Sequence, residues 1–481
     1  MNQHIRCRHR RRAPLRLVGV VTVVLGIGTI GAPAPALAIG PPAIDEAALG
    51  AALAVNANGG PPDETEQRAV CAEPRLMGAA PSEAPQPQRI LELPAAWQFS
   101  RGGGQKVAVI DTGVNRHPRL PALQPGGDFV SNSDGTLDCD GHGTLVAGLI
   151  AGRPSQEDAF SGVAPDAEIL AIRQLSTAYE AKDRTRNEAP GKIASAGYGN
   201  VLTLAAAIVR AVDMGATVIN ISEVACAPTG VDPADGALGA AVKLAFDRGV
   251  VVVAAAGNLQ QGGACDGQND GTGWASVRTA VSPAWFTPYV LSVASIEADG
   301  TPSPFSINGP WIGVAAPGRN IVSLDSKPGG TGLVDSQQTS EGMGTIDGTS
   351  FSSAYVSGLA ALVRARFPEL SAPQVMDRIT RTAQAPGVGR DDRLGYGLVD
   401  PLAALTAQLP AKPIGAGADV ARPISPPAPP PYVDPMPRRV ATIGTIVLLA
   451  LLGIGYALSI PFRRERADVV DPVDAEIGKG L

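Results

Sequence analysis

Short apolar runs of strand length alternate with helix-length segments through the middle of this 481-residue chain. The strand candidates are residues 106–110, 168–172, 217–222 and 250–255, and the helix candidates are residues 144–151, 201–213 and 237–247. Continuous β-branched runs are typical of strands buried on both faces, and helices between them favour right-handed crossovers. The pattern predicts an α/β domain over residues 104–406, built on a parallel sheet with its site at the carboxyl ends of the strands.

The amino terminus has the pattern of a secretory signal peptide. The first 16 residues contain six arginines and no acid, and an apolar run over residues 17–30 precedes the small-residue site Ala36-Leu37-Ala38. We expect residues 1–38 to be removed by cleavage after Ala38. An uncleaved anchor is the alternative, although the run is shorter than the ~20 residues that span a bilayer. Because six arginines and no acid leave, the formal charge changes from −6 to −12.

The carboxyl terminus predicts a single membrane anchor. Residues 440–460 are uncharged and flanked by arginines, and a helix of this length spans about 31 Å, close to the thickness of the hydrocarbon core. A buried helix of a soluble protein is the alternative. Residues 407–439 are interpreted as a proline-rich linker, since ten prolines fall within residues 410–437; such a stretch favours an extended spacer. We expect residues 461–481 to be a cytoplasmic tail.

Two further segments lack a clear repeat of apolar residues. Residues 39–103 are rich in Ala, Pro and Gly, so we expect an extended segment with one short helix near residues 46–55. Residues 174–199 are polar and are expected to form a loop insertion. The net negative charge argues against nucleic-acid binding, because such proteins use excess Lys and Arg to neutralise phosphates.

Four side chains with nucleophilic, basic or donor chemistry stand at predicted strand ends and helix starts. Asp111 directly follows one strand candidate, and Asn258 lies just past another. His142 lies between two glycines at a helix start, and Ser350 opens an apolar helix that runs to about residue 366.

These residue types fit nucleophilic catalysis by serine. A serine hydroxyl attacks poorly until a base takes its proton, and histidine suits that task near neutral pH. A buried carboxylate fixes the imidazole tautomer, while an amide donor stabilises the oxyanion. The candidate catalytic residues are therefore Asp111, His142 and Ser350, with Asn258 and the backbone N–H of Ser350 as the oxyanion hole.

Other site chemistries fit the sequence less well. The mature chain keeps only His117 and His142, so a three-histidine zinc site is excluded, and we expect His117 to be a loop residue. A zinc site of Cys139, Asp140 and His142 lacks a matching ligand pair elsewhere. We expect no metal and no cofactor.

Alternatives based on single motifs are also weak. The Asp-Thr-Gly that begins at Asp111 is shared with aspartic proteases, but a second such motif is absent, and a lipase would need a Gly-x-Ser-x-Gly elbow. We expect the acids Asp128, Asp134 and Asp138 to be solvated loop charges rather than calcium ligands.

The motif blocks resemble those of subtilisin-like serine proteases, the subtilase family, over about residues 104–406. The blocks are VIDTGV at 109–114, DGHGT at 140–144, AAAGN at 254–258 and GTSFSSA at 348–354. The resemblance implies a mainly parallel, seven-stranded sheet flanked by helices. It also implies a catalytic triad of Asp111, His142 and Ser350, with Asn258 as the oxyanion donor.

The sequence departs from the family pattern at the expected substrate-binding edge. The usual Ser-Leu-Gly is replaced by Ser222-Glu223-Val224, and we hypothesise that this change narrows specificity. Phe351 and Ala354 replace the usual Met and Pro beside the nucleophile, and neither change alters the triad chemistry.

The layout of the whole chain is similar to that of the mycosins, the membrane-anchored subtilases of actinobacterial type VII secretion systems. The resemblance implies selective cleavage of a protein or peptide substrate, and a second role in supporting the membrane complex of the secretion system. It also implies that residues 39–103 wrap around a catalytic domain held outside the cytoplasm by one span. A scaffold subunit with secondary protease activity is the alternative function.

Four cysteines, Cys71, Cys139, Cys226 and Cys265, would lie outside the cytoplasm, where disulfide bonds are permitted. Four cysteines allow three pairings, and the sequence alone does not choose among them. The family resemblance implies the pairs Cys71–Cys139 and Cys226–Cys265, and free buried thiols are the alternative.

Overall fold

The strands and helices of the computed structural model lie within residues 40–183, 197–339, 342–387, 389–410 and 436–464, which are the residues that the structure describes. The chain divides into one unit that ends at Gln408 and a second that starts at Leu409. The strands are β1 Thr65–Gln67, β2 Lys106–Asp111, β3 Leu123–Asp128, β4 Glu168–Arg173, β5 Tyr179–Ala181, β6 Val218–Ile221, β7 Ala225–Pro228, β8 Val251–Ala255, β9 Thr279–Ser282, β10 Val290–Ile296, β11 Ile312–Pro317, β12 Ser323–Leu324, β13 Leu333–Val334, β14 Ser336–Thr339 and β15 Gly342–Thr345. The helices are α1 Leu49–Asn58, α2 Gln86–Ile90, α3 Leu93–Ala96, α4 His142–Ala151, α5 Val201–Asp213, α6 Gly236–Asp247, α7 Thr349–Arg366, α8 Ala372–Thr382, α9 Pro401–Thr406 and, in the second unit, α10 Met436–Arg464.

Seven strands form a single sheet in the order β11-β10-β8-β6-β2-β4-β3. Every neighbouring pair in this sheet is parallel, and the register places Asp111, at the end of β2, opposite Arg173 of β4. The four predicted strands are β2, β4, β6 and β8, and the helices predicted between them are α4, α5 and α6. The helix predicted from Ser350 to about residue 366 is α7. The sheet confirms the predicted α/β class.

Different helices cover the two faces of the sheet. Because alternate residues of a strand point to opposite faces, each strand contributes side chains to two separate cores. Val107 and Val109 of β2 lie in one core with residues of α4 and α7. Ala108 and Ile110 lie in a second core with residues of α1, α5 and α6. Burial on both faces explains why these strands have continuous apolar sequences.

Residues 40–103 contribute to both cores. Ala52 of α1 is buried in the core that α5 and α6 cover, whereas Leu91, Leu93 and Ala96 are buried in the core on the opposite face. The helix predicted near residues 46–55 is present as a 3-10 turn followed by α1. The sequence did not predict α2 and α3, since helices of five and four residues are too short to show a period.

Between α1 and α2 the chain makes backbone pairings with two segments of the peptidase domain. There β1 pairs with β5 in antiparallel register, and a backbone bridge joins Arg75 to Ser336. The predicted insertion over residues 174–199 thus contains a short strand, and its residues 184–196 lie outside the described ranges.

Two disulfide bonds join the four cysteines in the pairing that the resemblance implies. Cys71 is bonded to Cys139, and Cys226 of β7 is bonded to Cys265, at sequence separations of 68 and 39 residues. On chain-entropy grounds, loops of these lengths correspond to about 4 kcal/mol of stabilisation each. The first bond ties residues 40–103 to the loop that leads into α4.

The second unit contains α10, which is long and apolar enough to cross a membrane. Its span, Arg439–Leu458, has 20 residues and a mean hydropathy of 2.1, and none of it is buried. The helix begins at Met436, so the last four residues of the predicted linker are helical. The predicted signal peptide, linker residues 411–435 and the tail beyond residue 464 lie outside the described ranges.

Candidate active site

The predicted site residues of the sheet lie at its carboxyl edge. β2, β6 and β8 are adjacent in the sheet, and their last residues are followed by the segments that carry functional groups. Asp111 ends β2, Ser222 directly follows β6, and Asn258 lies three residues after β8. Because parallel strands end at the same edge, these three side chains come from one side of the sheet.

Asp111, His142 and Ser350 form a continuous hydrogen-bonded chain. His142 Nδ1 lies 2.7 Å from Asp111 Oδ1, and His142 Nε2 lies 2.9 Å from Ser350 Oγ. Asp111 is fully buried, whereas 24% of the His142 side chain is exposed. The backbone N–H of Thr112 also donates to Asp111 Oδ1, at 2.7 Å. The end of β2, the first residue of α4 and the first turn of α7 therefore meet at one point.

The surroundings of His142 favour its protonated form. Burial by itself lowers the pKa of an imidazole, but the charges and the hydrogen bond around His142 together outweigh it. Together with the charges of Glu223 and Asp138, Asp111 raises the pKa of His142 to about 9. The His142 ring also packs against Phe351, with 5.2 Å between ring centroids. A proton that moves from Ser350 to His142 Nε2 would therefore be stabilised.

Asn258 lies beside Ser350, and Thr349, the residue before Ser350, holds its side chain in place. Asn258 Oδ1 accepts hydrogen bonds of 3.0 Å from both the N–H and the Oγ1 of Thr349. A Cβ placed on Gly348 would lie 3.0 Å from Ser350 Oγ and 3.5 Å from Asn258 Nδ2, so both atoms face one small space. Glycine leaves this space open, and an amide donor there can meet an oxyanion that forms at Ser350.

A cleft of about 170 Å³ opens beside His142 and Ser350. Ser222 and Glu223, the predicted substrate-binding edge, form part of its wall, as does Asn258. Val224, Gly257 and Phe351, which lie in or beside the motif blocks, also line it, and the lining residues that the sequence did not single out are Gln260, Gln337 and Asp347. No local pattern marks Gln260, Gln337 or Asp347, because they reach the cleft from segments far apart in the chain.

Two acids that we expected to be solvated loop charges are buried. Asp138 is 4% exposed and accepts hydrogen bonds from four donor groups. Burial raises the pKa of Asp138 to about 6, although these hydrogen bonds oppose the shift. Asp128 is 2% exposed and lies 3.5 Å from Arg173 Nη1, whereas Asp134 is exposed. The prediction was wrong for Asp128 and Asp138 because a sequence shows a charge but not the donors that folding brings to it.

The residues considered for metal binding do not form a ligand set. Cys139 forms a disulfide bond with Cys71, so it has no thiolate to offer to the zinc site considered with Asp140 and His142. Within the described residues, no group of three or more His, Cys, Asp or Glu side chains is placed to hold a metal ion. His117 lies in a loop, is 5% exposed, and accepts a backbone hydrogen bond at Nδ1. Burial lowers the pKa of His117.

Known proteins resemble this chain in sequence and in structure. The model of the subtilase family of peptidases matches residues 102–397. Mycosin-3 of Mycobacterium tuberculosis is 44% identical over 472 residues, which cover 95% of this chain and 99% of that protein. The crystal structure of MycP1 from the ESX-1 type VII secretion system superposes with a TM-score of 0.71 at 43% identity, covering 78% of this chain and 98% of that one. A chain of the intact ESX-5 inner membrane complex gives a TM-score of 0.70 at 40% identity, covering 88% and 100%.

These similarities confirm the resemblance that the motif blocks indicate. The range that the family model matches contains Asp111, His142, Asn258 and Ser350, and the structural match to MycP1 covers 78% of this chain. The similarity to Mycosin-3 extends beyond the peptidase domain to nearly the full length of both chains. This chain is therefore a subtilisin-like serine protease that belongs to the subtilase family and, within it, to the mycosins.

Proposed function

We propose that the chain is a membrane-anchored endopeptidase that cleaves a selected protein substrate outside the cytoplasm through Asp111, His142 and Ser350. The observation that supports these roles is the unbroken hydrogen-bonded path from the Asp111 carboxylate through the His142 ring to Ser350 Oγ. The amide of Asn258, beside the same hydroxyl, supplies the donor that acyl transfer requires.

In this mechanism Ser350 Oγ attacks the carbonyl carbon of the scissile peptide, and His142 Nε2 takes the hydroxyl proton. Asp111 accepts the hydrogen bond from His142 Nδ1 and stabilises the imidazolium that forms. The oxyanion of the tetrahedral intermediate accepts hydrogen bonds from Asn258 Nδ2 and the backbone N–H of Ser350. His142 then gives its proton to the leaving amine, and the acyl-enzyme is hydrolysed by water that His142 deprotonates.

The wall of the cleft supports a narrow range of substrates. Glu223 stands where related proteases usually have leucine, and Gln260, Gln337 and Asp347 add further polar groups. A cleft of about 170 Å³ with this lining suits a limited set of polar side chains. Cleavage of a peptide library at many unrelated sequences would contradict this part of the proposal.

The predicted organisation along the chain is part of the same proposal. Residues 1–38 are a signal peptide, residues 39–103 an extension that wraps the catalytic domain, and residues 104–406 the peptidase domain. Residues 407–439 connect this domain to a span at residues 440–460, and residues 461–481 face the cytoplasm. Two disulfide bonds support a location outside the cytoplasm, and the apolar helix α10 supports a single anchor.

We also propose that the chain assembles with membrane components of a type VII secretion system. The support is similarity to a chain of the ESX-5 inner membrane complex over 88% of the present chain. The alternative function, a scaffold whose protease activity is secondary, predicts that assembly and secretion continue without catalysis.

Ser350→Ala tests the catalytic assignment. The full chain in detergent is treated with a fluorophosphonate, a reagent that phosphonylates activated serines whatever the peptide specificity. We expect labelling of the wild-type chain at Ser350 and none in Ser350→Ala, while Ser352→Ala, which alters a neighbouring serine of α7, keeps its label. Absence of label in the wild-type chain contradicts the assignment.

The same variant separates catalysis from scaffolding in cells. Mass spectrometry of the secreted proteins compares the wild-type strain, Ser350→Ala and a deletion of the whole chain. Uncleaved substrate with continued secretion in Ser350→Ala, and loss of secretion only in the deletion, supports both roles. Cleavage at the wild-type site in Ser350→Ala would refute this chain as the protease for that substrate.

A further inference from the structure

We propose that Asp138 is a positioning residue for the protease reaction, because its buried carboxylate joins the turn after β2 to the start of α4. Asp111 belongs to the first segment and His142 to the second, so this link sets the geometry between them. The proposal rests on the proposed catalytic roles of Asp111 and His142, and Asp138 acts through them without touching the substrate.

The two oxygens of Asp138 bind donors from both segments. Oδ1 accepts hydrogen bonds from Thr112 Oγ1 at 2.8 Å and from the N–H of Gly141 at 2.7 Å. Oδ2 accepts from the N–H of Thr144 at 2.8 Å and from Thr144 Oγ1 at 2.6 Å. Thr112 is the residue after Asp111, and Gly141 and Thr144 lie on either side of His142. One carboxylate thus holds both halves of the Asp–His pair.

A second contact between the same segments shows how little freedom they have. The N–H of Gly143 donates to Thr112 Oγ1 at 2.9 Å, so the hydroxyl that donates to Asp138 also accepts from α4. A Cβ on Gly143 would lie 2.0 Å from the carbonyl oxygen of Gly113, which means that the two backbones are in direct contact. Any displacement of α4 would therefore change the 2.7 Å bond between His142 and Asp111.

Asp138 is itself fixed in place by a side chain. Asn115 Nδ2 donates to the carbonyl oxygen of Asp138 at 2.8 Å, and the N–H of Asp138 donates to Asn115 Oδ1 at 3.0 Å. This paired contact sets the backbone of Asp138, so the carboxylate is presented to its donors in a single orientation.

The site requires a carboxylate and does not accept an amide. Each oxygen of Asp138 accepts a backbone N–H, from Gly141 or from Thr144, and a backbone N–H cannot reverse its direction. In Asp138→Asn the side-chain NH₂ would point at one of these N–H groups in either orientation. The variant therefore loses one hydrogen bond and places two donors against each other.

Asp140, two residues further along the same loop, offers a matched control. Its Oδ1 accepts the N–H of Thr177 at 2.7 Å and the Thr177 hydroxyl, whereas its Oδ2 accepts only from the hydroxyl of Ser176, which can rotate to become an acceptor. Asn with its oxygen at the Oδ1 position keeps all three contacts, and neither partner residue belongs to the segments that carry Asp111 or His142. The two Asp→Asn changes are thus alike in charge and location but differ in their effect on the Asp–His geometry.

The experiment measures the rate at which the full chain in detergent reacts with a fluorophosphonate, as a function of pH. We expect Asp138→Asn to lower the maximal rate by about 10²-fold, because misplacement of a catalytic group by about 1 Å has that effect. The rise of the rate with pH should also occur at lower pH, because removal of a negative charge near His142 lowers the pKa of His142. Asp140→Asn should react like the wild-type chain.

The proposal is overturned if Asp138→Asn reacts at the wild-type rate, or if both Asn variants are slowed equally. If Asp138→Asn does not fold, Thr112→Val and Thr112→Ser decide the question, because only Ser keeps the hydroxyl between Asp138 and Gly143. A slow Val variant and a Ser variant with a restored rate support the proposal, and equal rates overturn it. A wild-type chain that takes no label refutes the proposed function itself, which distinguishes that failure from failure of Asp138 alone.

Discussion

At the scale of single residues, the charge of Glu223 influences the pKa of His142. The carboxylate raises the pKa of His142 together with Asp111, and the imidazole must be neutral to act as a base. The rate of reaction with a fluorophosphonate should therefore rise with pH and reach half its maximum near pH 9. Glu223→Gln removes one of the charges that favour the imidazolium, so we expect the midpoint to move to lower pH and the rate at pH 7 to rise.

A distant charge provides the control for this prediction. Glu157 is exposed and is not among the groups that raise the pKa of His142, so Glu157→Gln should leave the midpoint of the profile in place. The prediction fails if Glu223→Gln leaves the midpoint unchanged, or if both variants shift it equally, since the effect would then be one of overall charge.

Asn258 combines an acceptor that holds α7 with a donor that faces the nucleophile. Asn258→Asp keeps the acceptor for Thr349 but replaces the donor by a charged carboxylate oxygen, so it removes the second function and adds a repulsion toward the oxyanion. Loss of one oxyanion-hole donor costs about 10² to 10³ in kcat, and we expect a loss of at least that size in the fluorophosphonate rate. Thr349→Val removes the hydroxyl that donates to Asn258 Oδ1 and accepts from the N–H of Gly257, but it leaves the Asn258 donor in place, and its smaller loss serves as the comparison. Equal losses in the two variants would contradict the donor role.

At the scale of elements, α2 shows how residues 40–103 are held to the domain. Gln88 of α2 is 3% exposed, and its side chain donates to the carbonyl oxygen of Ser161 at 2.6 Å and accepts from its N–H at 3.3 Å. Gln88→Ala would leave both backbone groups of Ser161 buried without these partners. We expect the free energy of unfolding to fall by about 2 kcal/mol, as measured by urea titration.

The same helix contains the control for this prediction. Gln86 is exposed at the start of α2, and Gln86→Ala should change the free energy of unfolding far less than Gln88→Ala. If both variants are equally stable, Gln88 does not anchor α2.

The elements differ in how well the sequence predicts them. β2 and β8 were recognised because strands buried on both faces need unbroken apolar runs, and α5 because it repeats its apolar residues over 13 positions. In contrast, α2 and α3 have five and four residues, and such short helices exist only because tertiary packing stabilises them.

At the scale of the whole molecule, the catalytic unit and the anchor are separable. The unit that ends at Gln408 contains both cores, both disulfide bonds and the hydrogen-bonded chain to Ser350. A chain truncated after Gln408 should therefore leave the membrane fraction on washing with salt. It should also react with a fluorophosphonate at the rate of the full chain. The full chain should remain with the membranes until detergent is added, because α10 is apolar along its span.

Two results would contradict this arrangement. Retention of the truncated chain on salt-washed membranes would show an attachment other than α10. A truncated chain that is soluble but takes no label would show that the catalytic geometry depends on residues beyond Gln408.

The sequence by itself determined the class of fold, the two apolar ends and the identity of the motif residues. Apolar runs, basic flanks and glycine-bracketed blocks around His142 and Ser350 are local features, and they have the same meaning wherever the chain folds. Only the tertiary structure decided which acids are exposed surface charges and which are buried and hydrogen-bonded to neighbouring segments. Asp138 lies in a polar loop sequence, yet the fold buries it against Thr112 and Thr144. Likewise, Gln260, Gln337 and Asp347 meet Glu223 only in the cleft. Burial and hydrogen-bond partners are contributed by distant segments, so no local pattern contains them.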